Sequence, residues 1–96
     1  MKAPDGKVFD SQKEYNRWCN LRLLERAGKI SDLQRQVSYE LIPKQDGERA
    51  CSYVADFTYY QDGKLVVEDC KGCVTEVFKM KKKLMLWVHG IRIRIT

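Results

Sequence analysis

The chain has 96 residues, of which 44% are hydrophobic and 32% charged, and it carries a formal net charge of +5. This composition is typical of one soluble globular domain, which we expect to span residues 1–96. Its longest apolar run, "LMLWV", is far too short for a membrane-spanning helix. We therefore expect no membrane partner. No apolar signal segment opens the chain, which predicts a cytoplasmic protein with reduced cysteines.

A first helix is predicted from Gln12 to Ala27, after a loose lead-in over residues 1–9. Ser11 and Glu14 form the spacing of a capping box, and Gly28 provides a stop signal. Glu14 falls on the same helical stripe as Trp18.

Three strands are predicted next. Residues 36–42 alternate, as do residues 51–60 and 64–71. Asp62-Gly63 between the last two is a strong hairpin signal, because a type I′ turn needs positive φ at both central positions.

Helical periodicity returns over residues 74–88, and "IRIRIT" ends the chain as a fourth strand. The helix is predicted to have an apolar face and an opposite polar face. The apolar face comprises Val77, Met80, Leu84, Trp87 and Val88, and the polar face comprises Thr75, Lys79, Lys82 and Lys83. The order is α-β-β-β-α-β, a mixed α/β (α+β) fold in which the third and fourth strands are parallel.

The hairpin register places acidic residues together. If Asp62 and Gly63 form the loop, Gln61 pairs with Lys64, and Asp56 then lies opposite Asp69. Lys71 emerges on the same face. Two facing carboxylates repel each other unless water or a cation lies between them, and oxygen ligands of this kind suit Mg²⁺ or Mn²⁺. The pattern predicts a metal site.

These residues resemble a known family. Asp56, followed after twelve residues by Asp69-Cys70-Lys71, is similar to the D…(D/E)-x-K signature of the PD-(D/E)xK nuclease superfamily. The segment "ADFTYYQDGKLVVEDCKG" also resembles small phage and prophage proteins of that superfamily, and Holliday-junction resolvases share its core. The resemblance implies an αβββαβ restriction-endonuclease-like core, with a mixed four-stranded sheet flanked by helices.

The resemblance also implies roles for individual residues. Asp56 and Asp69 would bind the metal, Lys71 would orient the attacking water, and Glu14 would be an accessory ligand. A bulge that shifts the register by one residue would make Glu68 the ligand instead of Asp69. Glu14 has an alternative role as the capping partner of Ser11.

Basic residues provide a candidate DNA surface. Phosphate contacts are expected from Lys79, Lys82, Lys83, Arg17 and Thr75, although a lysine run on a helix is also typical of a solvated face. "CKGC" at residues 70–73 suggests a second interpretation as a zinc site. The remaining candidate ligands, Cys19, Cys51 and His89, have no recognisable spacing.

The sequence therefore predicts a Mg²⁺- or Mn²⁺-dependent endodeoxyribonuclease without an organic cofactor. Branched DNA is one candidate substrate, and cutting a junction would require a homodimer. The phage resemblance suggests DNA recombination, replication or packaging in a bacterial host cytosol. The alternatives are a non-catalytic nucleic-acid-binding protein on a nuclease fold and, less favoured, a zinc-binding adaptor.

Overall fold

The computed structural model describes residues 9, 11–71 and 74–96, and within them it confirms the predicted α-β-β-β-α-β order. The elements are α1 (Gln12–Arg26), β1 (Ser31–Ile42), β2 (Cys51–Gln61), β3 (Lys64–Asp69), α2 (Glu76–His89) and β4 (Arg94–Ile95). Among the described residues, no helix is long and apolar enough to cross a membrane.

Helix α1 begins and ends close to the predicted residues. The Ser11 hydroxyl accepts a 3.1 Å hydrogen bond from the Glu14 amide, which satisfies one of the free donors of the first turn. Ala27 is the C-cap, and Gly28 follows with φ of 75°. This left-handed conformation is one that glycine adopts without steric cost, which explains why the helix ends here.

The four strands form one mixed sheet in the order β1-β2-β3-β4. The β1–β2 and β2–β3 pairs are antiparallel, whereas β3 and β4 are parallel, as predicted. Asp62 and Gly63 both have positive φ, and Gln61 pairs with Lys64. The predicted hairpin register is confirmed as far as Phe57 and Glu68, which pair directly.

Strand β1 is longer than predicted, because it begins at Ser31 rather than at residue 36. Its first residues, "SDLQR", are mostly polar and carry little of the β-branched and aromatic signal of a strand. Pairing with β2, for example Gln34 with Thr58, extends the strand in spite of that weak propensity.

The core consists of two clusters, one on each side of the sheet. The α1 side buries Phe9, Trp18, Leu21, Ile30, Phe57, Tyr59 and Val66. The α2 side buries Leu41, Tyr53, Ala55, Val67, Phe78, Met85 and Ile93. Phe9 is only 1% exposed, so the last residue of the predicted loose lead-in is part of the core.

Strand β2 changes its buried face at Asp56. Tyr53 and Ala55 belong to the α2-side cluster, whereas Phe57 and Tyr59 belong to the α1-side cluster. In a regular strand, every second residue lies on the same face, so Tyr53, Ala55, Phe57 and Tyr59 would all face one cluster. The alternation is therefore broken between Ala55 and Phe57, and the neighbouring residue on β1, Gln36, has φ of 53°. Because of this break, the position of Asp56 differs from the one it would have if β2 and β3 continued to pair regularly.

The predicted apolar face of α2 was wrong except at Leu84, which packs against the α2-side cluster. Phe78 and Met85 are the residues that α2 buries, and Phe78 packs near Tyr53 with the ring centroids 6.4 Å apart. By contrast, Val77 is 61% exposed, Met80 60% and Trp87 86%. Apolar residues surround much of this helix, so periodicity alone could not show which of them the sheet would cover.

Candidate functional site

Asp56 lies where strands β2 and β3 stop pairing. Its Oδ2 atom accepts a 2.9 Å hydrogen bond from the backbone amide of Cys70, and its Oδ1 atom accepts a 3.4 Å bond from Nε2 of Gln36. Cys70 is the first residue after β3, and its amide bonds to the Asp56 side chain instead of to a backbone carbonyl of β2. The Asp56 carboxylate thus links β2 to the end of β3.

Asp69, the last residue of β3, is almost completely buried, with an exposure of 1%. Its Oδ2 atom accepts a 2.7 Å hydrogen bond from the hydroxyl of Tyr53 and lies 3.6 Å from Nζ of Lys71. Its Oδ1 atom is buried and has no hydrogen-bond partner among the described residues. A buried carboxylate oxygen without a donor is energetically costly, and a shared proton, a water or a cation would satisfy it.

The two carboxyl groups lie within hydrogen-bonding reach of each other. The pKa of Asp56 is raised to about 7, by burial first and by the contact with Asp69 second, while the Cys70 amide and Lys71 act in the opposite direction. Two carboxylates that share a site do not both ionise readily. At neutral pH such a pair retains a proton or binds a cation in its place.

Lys71 completes this group on the α2 side of the sheet. Its ammonium lies 4.8 Å from the centre of the Phe78 ring, in addition to its contact with Asp69. Its amide donates to the carbonyl of Thr96. These contacts hold the half-buried side chain beside the carboxylate pair, as the hairpin register predicted.

A divalent cation fits the donors of this site. Asp69 offers an oxygen without a partner and Asp56 offers a carboxylate with an elevated pKa, and Mg²⁺ is often bound through one or two carboxylates together with water and substrate phosphate. No group of three or more His, Cys, Asp or Glu side chains that could hold a metal ion occurs in the described part of the chain. The candidate metal centre thus rests on two carboxylates alone, Asp56 and Asp69.

Glu14, the predicted accessory ligand, is not grouped with the pair. Its side chain is buried and lies 3.4 Å from Nη2 of Arg35, whose guanidinium stacks 4.0 Å from the centre of the Phe9 ring. Its amide participates in the Ser11 cap. The structure thus shows a buried ion pair and a cap contact for Glu14 on the α1 side.

Glu68, the alternate ligand, lies on the opposite face of β3 from Asp69. Arg17 donates to both of its carboxylate oxygens, one of them at 3.0 Å, and the Tyr59 hydroxyl donates a further short bond. Burial alone would raise the pKa of Glu68, but the hydrogen bonds from Arg17 and Tyr59 outweigh it and lower the pKa. Glu68 is thus an ionised partner of Arg17 in the core.

This ion pair changes the interpretation of Arg17, which the sequence placed among the DNA contacts. Its guanidinium is bound to Glu68, and Arg94 on β4 extends the network by donating to the Tyr59 hydroxyl at 3.2 Å. The only hint in the sequence was the pair of consecutive acids, Glu68 and Asp69, on one strand. Consecutive residues on a strand point to opposite faces, so only one of the two acids could lie on the face of the candidate metal site.

The predicted lysines lie on the outer part of α2. Lys79, Lys82 and Lys83 line a cavity of about 220 Å³ together with Arg92, from the segment that leads to β4. Lys79 is also 3.2 Å from Glu76. Thr75, by contrast, is the N-cap of α2, and its hydroxyl accepts a 3.1 Å bond from the Phe78 amide.

A larger cavity, about 430 Å³, lies beside the end of β3 on the α1 side. It is lined by Lys13, Asn16, Arg17, Asn20, Cys70 and Thr96. Lys13 donates from Nζ to the carbonyl of Lys71 at 3.1 Å, which connects this cavity to the chain segment that carries the acids. The amide and ammonium groups of this cavity are suitable for contacts with a nucleic-acid backbone.

The cysteines present no zinc site in the described residues. Cys19, Cys51 and Cys70 are free thiols, and burial raises the pKa of Cys70, which disfavours its thiolate. Cys73, the second cysteine of "CKGC", lies outside the described residues.

The comparison with family models matches residues 3–92 to the family described as "Protein of unknown function (DUF1064)", and the chain belongs to that family. No curated protein and no solved structure matches the chain. The family description names no activity, so the nuclease resemblance remains a prediction whose support is the geometry of the site.

Proposed function

We propose that this protein is a metal-dependent endodeoxyribonuclease of the PD-(D/E)xK type. The observation that carries the proposal is the contact between the Asp56 and Asp69 carboxyl groups, with one buried oxygen of Asp69 left without a partner and Lys71 beside it. A pair of acids that could bind a cation, with a lysine beside it, suits the metal-assisted hydrolysis of a phosphodiester.

Asp56 and Asp69 would hold Mg²⁺ or Mn²⁺. The bound ion would supply a Lewis acid for the scissile phosphate and lower the pKa of a bound water. The Tyr53 hydroxyl fixes Oδ2 of Asp69, so this carboxylate presents Oδ1 in a defined direction. The hydrogen bond from the Cys70 amide orients Asp56 in the same way. Both acids are thus held in place before any ligand binds, which reduces the cost of binding it.

Lys71 provides the positive charge at the reacting phosphate. Its ammonium is held between Asp69 and the Phe78 ring, and it has further donors available because an ammonium carries three. In this role it orients the attacking water by a hydrogen bond and offsets the negative charge that develops on the phosphate oxygens.

DNA is the proposed substrate because the chain carries a net charge of +5 and presents cations around the acids. Lys13 on the α1 side and the lysines of α2 provide contacts to phosphates, which give affinity without reading the base sequence. The activity would operate in the cytoplasm, where the DNA of a bacterial host or a phage is accessible. The proposal does not require a dimer unless both strands of a junction are cut.

The experiment is cleavage of a labelled panel that contains a four-way junction, a flap, a duplex and a single strand. Each substrate is incubated with Mg²⁺, with Mn²⁺ or with EDTA. Wild type is compared with Asp56→Asn, Asp69→Asn and Lys71→Ala. We expect cleavage that depends on the metal and falls at least 100-fold in each variant, since a correctly positioned catalytic group contributes about 10²–10⁴-fold.

Asp46→Asn is the matched control, because it removes one carboxylate from an exposed turn between β1 and β2. Circular dichroism of every variant separates lost chemistry from lost folding. Metal-dependent cleavage that survives Asp69→Asn would contradict the assignment of the site. Binding of DNA that is unaffected by Asp56→Asn, without cleavage of any substrate, would favour the non-catalytic binding protein instead.

A further inference from the structure

Trp87 is an exceptional surface residue. It lies near the end of α2 and 86% of it is exposed, although tryptophan is a residue that proteins bury extensively. The neighbouring exposed apolar residues of this helix include Met80, at 60%. Contiguous exposed apolar surface is a feature of interaction sites, and Met80 and Trp87 lie two helical turns apart on the same side of α2.

The position of Trp87 on the helix connects it to the basic cavity. Lys79, Lys83 and Trp87 are separated by four residues each, so they form one continuous ridge. Lys79 and Lys83 line the 220 Å³ cavity together with Lys82 and Arg92. An indole ring is thus placed one helical turn beyond a cavity whose described lining residues are all cationic. The positive charge of this surface favours an anionic ligand. The exposed indole ring favours a ligand that also has a flat apolar group.

We propose that this ridge, defined by Lys79, Lys83 and Trp87, binds an unpaired segment of nucleic acid. A phosphate enters the cavity formed with Lys82 and Arg92, and the adjacent base stacks on Trp87. A nucleotide carries a negatively charged phosphate and an aromatic base next to each other, as the ridge carries the lysines and Trp87 next to each other. Aromatic side chains beside a basic groove are the usual means by which proteins bind single strands without sequence preference.

The proposal concerns single strands rather than duplexes for a steric reason. In a duplex, each base is covered on both faces by its neighbours, and a helix on the surface meets only edges and phosphates. A base in a flap, a gap or a junction arm has a face that a tryptophan can cover. This inference rests on the proposed function in one respect: it restricts the nuclease substrate to DNA that contains unpaired nucleotides.

Fluorescence tests the contact directly, because the chain has two tryptophans and the other, Trp18, is only 7% exposed. An oligo(dT) strand is titrated into the full protein in EDTA, so that no cleavage interferes. A duplex of equal length and anionic phospholipid vesicles are titrated in parallel. We expect the single strand to quench the fluorescence at concentrations at least tenfold lower than the duplex, and Trp87→Ala to abolish the quenching.

Binding of a dye-labelled strand then tests each part of the ridge. Trp87→Ala weakens affinity about tenfold, in the range measured for the loss of one stacked base. Lys79→Ala and Lys83→Ala weaken affinity and each reduce the slope of log K against log salt by about 0.7. Lys81→Ala is the matched control, since it removes the same charge from α2 and Lys81 does not line the cavity.

Each outcome decides the inference independently of the nuclease proposal. Quenching through Trp87 without any cleavage supports the ridge and contradicts the proposed enzyme. Cleavage of DNA without quenching overturns the ridge and leaves the enzyme intact. Equal quenching by the duplex, or quenching by vesicles alone, also overturns the inference, because the surface would then recognise paired DNA or a lipid headgroup. An equal loss of affinity in Lys81→Ala and Lys83→Ala overturns the assignment of the cavity.

Discussion

The Tyr53 hydroxyl donates a 2.7 Å hydrogen bond to Oδ2 of Asp69, while Oδ1 of the same buried carboxylate has no partner within the described part of the chain. The two oxygens of one residue therefore have different roles. Tyr53 keeps one of them fixed inside the protein, whereas the other is also buried and has no such donor. Under the proposed function, Asp69 rather than Glu68 is the acid of β3 that would hold the metal, because Glu68 is paired with Arg17 on the opposite face.

Tyr53→Phe tests this role of the hydroxyl. We expect the free energy of unfolding in EDTA to fall by about 1.5–3 kcal/mol, the contribution typical of a hydrogen bond to a charged group. Denaturation by urea measures the change. Tyr60→Phe is the control, because the Tyr60 side chain is 42% exposed and its hydroxyl has no comparable buried partner in the described structure. Equal effects of the two substitutions would contradict the proposed role of Tyr53.

The carboxyl pair predicts how stability depends on pH. The pKa of Asp56 rises from 3.8 to about 7 on folding, through burial first and the Asp69 contact second. Between these two values, the folded protein keeps a proton that the unfolded chain has lost. The contribution of Asp56 to stability is therefore full below about pH 4 and is lost as the pH rises through 7.

Urea denaturation in EDTA at pH 5 and pH 7.5 measures this contribution. We expect a decrease on the order of 1–2 kcal/mol at the higher pH, less than the full shift implies, because solvent screens part of the interaction. Asp56→Asn should remove that decrease, since the amide does not titrate. Addition of Mg²⁺ at pH 7.5 should restore stability in wild type only. A wild-type curve that is insensitive to both pH and Mg²⁺ would argue against a shared site.

The Arg17–Glu68 pair is predicted to stabilise the fold rather than to contact DNA. Glu68 has an exposure of 0%, so Arg17→Met leaves a carboxylate buried without its main partner. We expect a loss of about 3–5 kcal/mol, as is typical when one member of a buried pair is removed. The double variant Arg17→Met/Glu68→Gln should lose less than the two single variants combined.

A double-mutant cycle by urea denaturation provides that measurement. The coupling energy, the departure from additivity, isolates the interaction of the two side chains. If Arg17→Met leaves stability unchanged and weakens only DNA binding, the phosphate contact that the sequence suggested is the better account.

Two methionines of α2 test which face of the helix is buried. Met85 has an exposure of 0% and Met80 of 60%. Met85→Ala should cost about 2–5 kcal/mol through lost burial and a residual cavity, whereas Met80→Ala should cost less than about 0.5 kcal/mol. Thermal or urea denaturation of both variants measures the difference, and the reverse order of effects would restore the face that periodicity predicted.

The sequence determined the elements whose signals are local. Asp62-Gly63 fixed the hairpin, because positive φ at two adjacent positions is a property of the turn itself and sets the register of both strands. The register is as predicted as far as Phe57 and Glu68, and beyond that pair a break in β2 that the pattern did not predict determines the position of Asp56. Ser11 marked the start of α1, since a cap depends only on the next three residues. The pattern alone therefore predicted that Asp56, Asp69 and Lys71 lie near one another, but not the geometry of their contacts.

Other features depended on contacts between distant segments, and the tertiary structure decided them. Periodicity could not choose between the apolar faces of α2, because the choice depends on what the sheet offers to Phe78 and Met85. Glu14 and Arg17 are charged residues on an exposed-looking helix, yet their partners, Arg35 and Glu68, come from strands distant in sequence. The change of buried face at Asp56 likewise depends on the packing of β2 against both core clusters, which a local pattern does not contain. Local propensity is a property of a short segment, whereas burial and ion pairing belong to the assembled chain, and for this reason only the fold could reveal them.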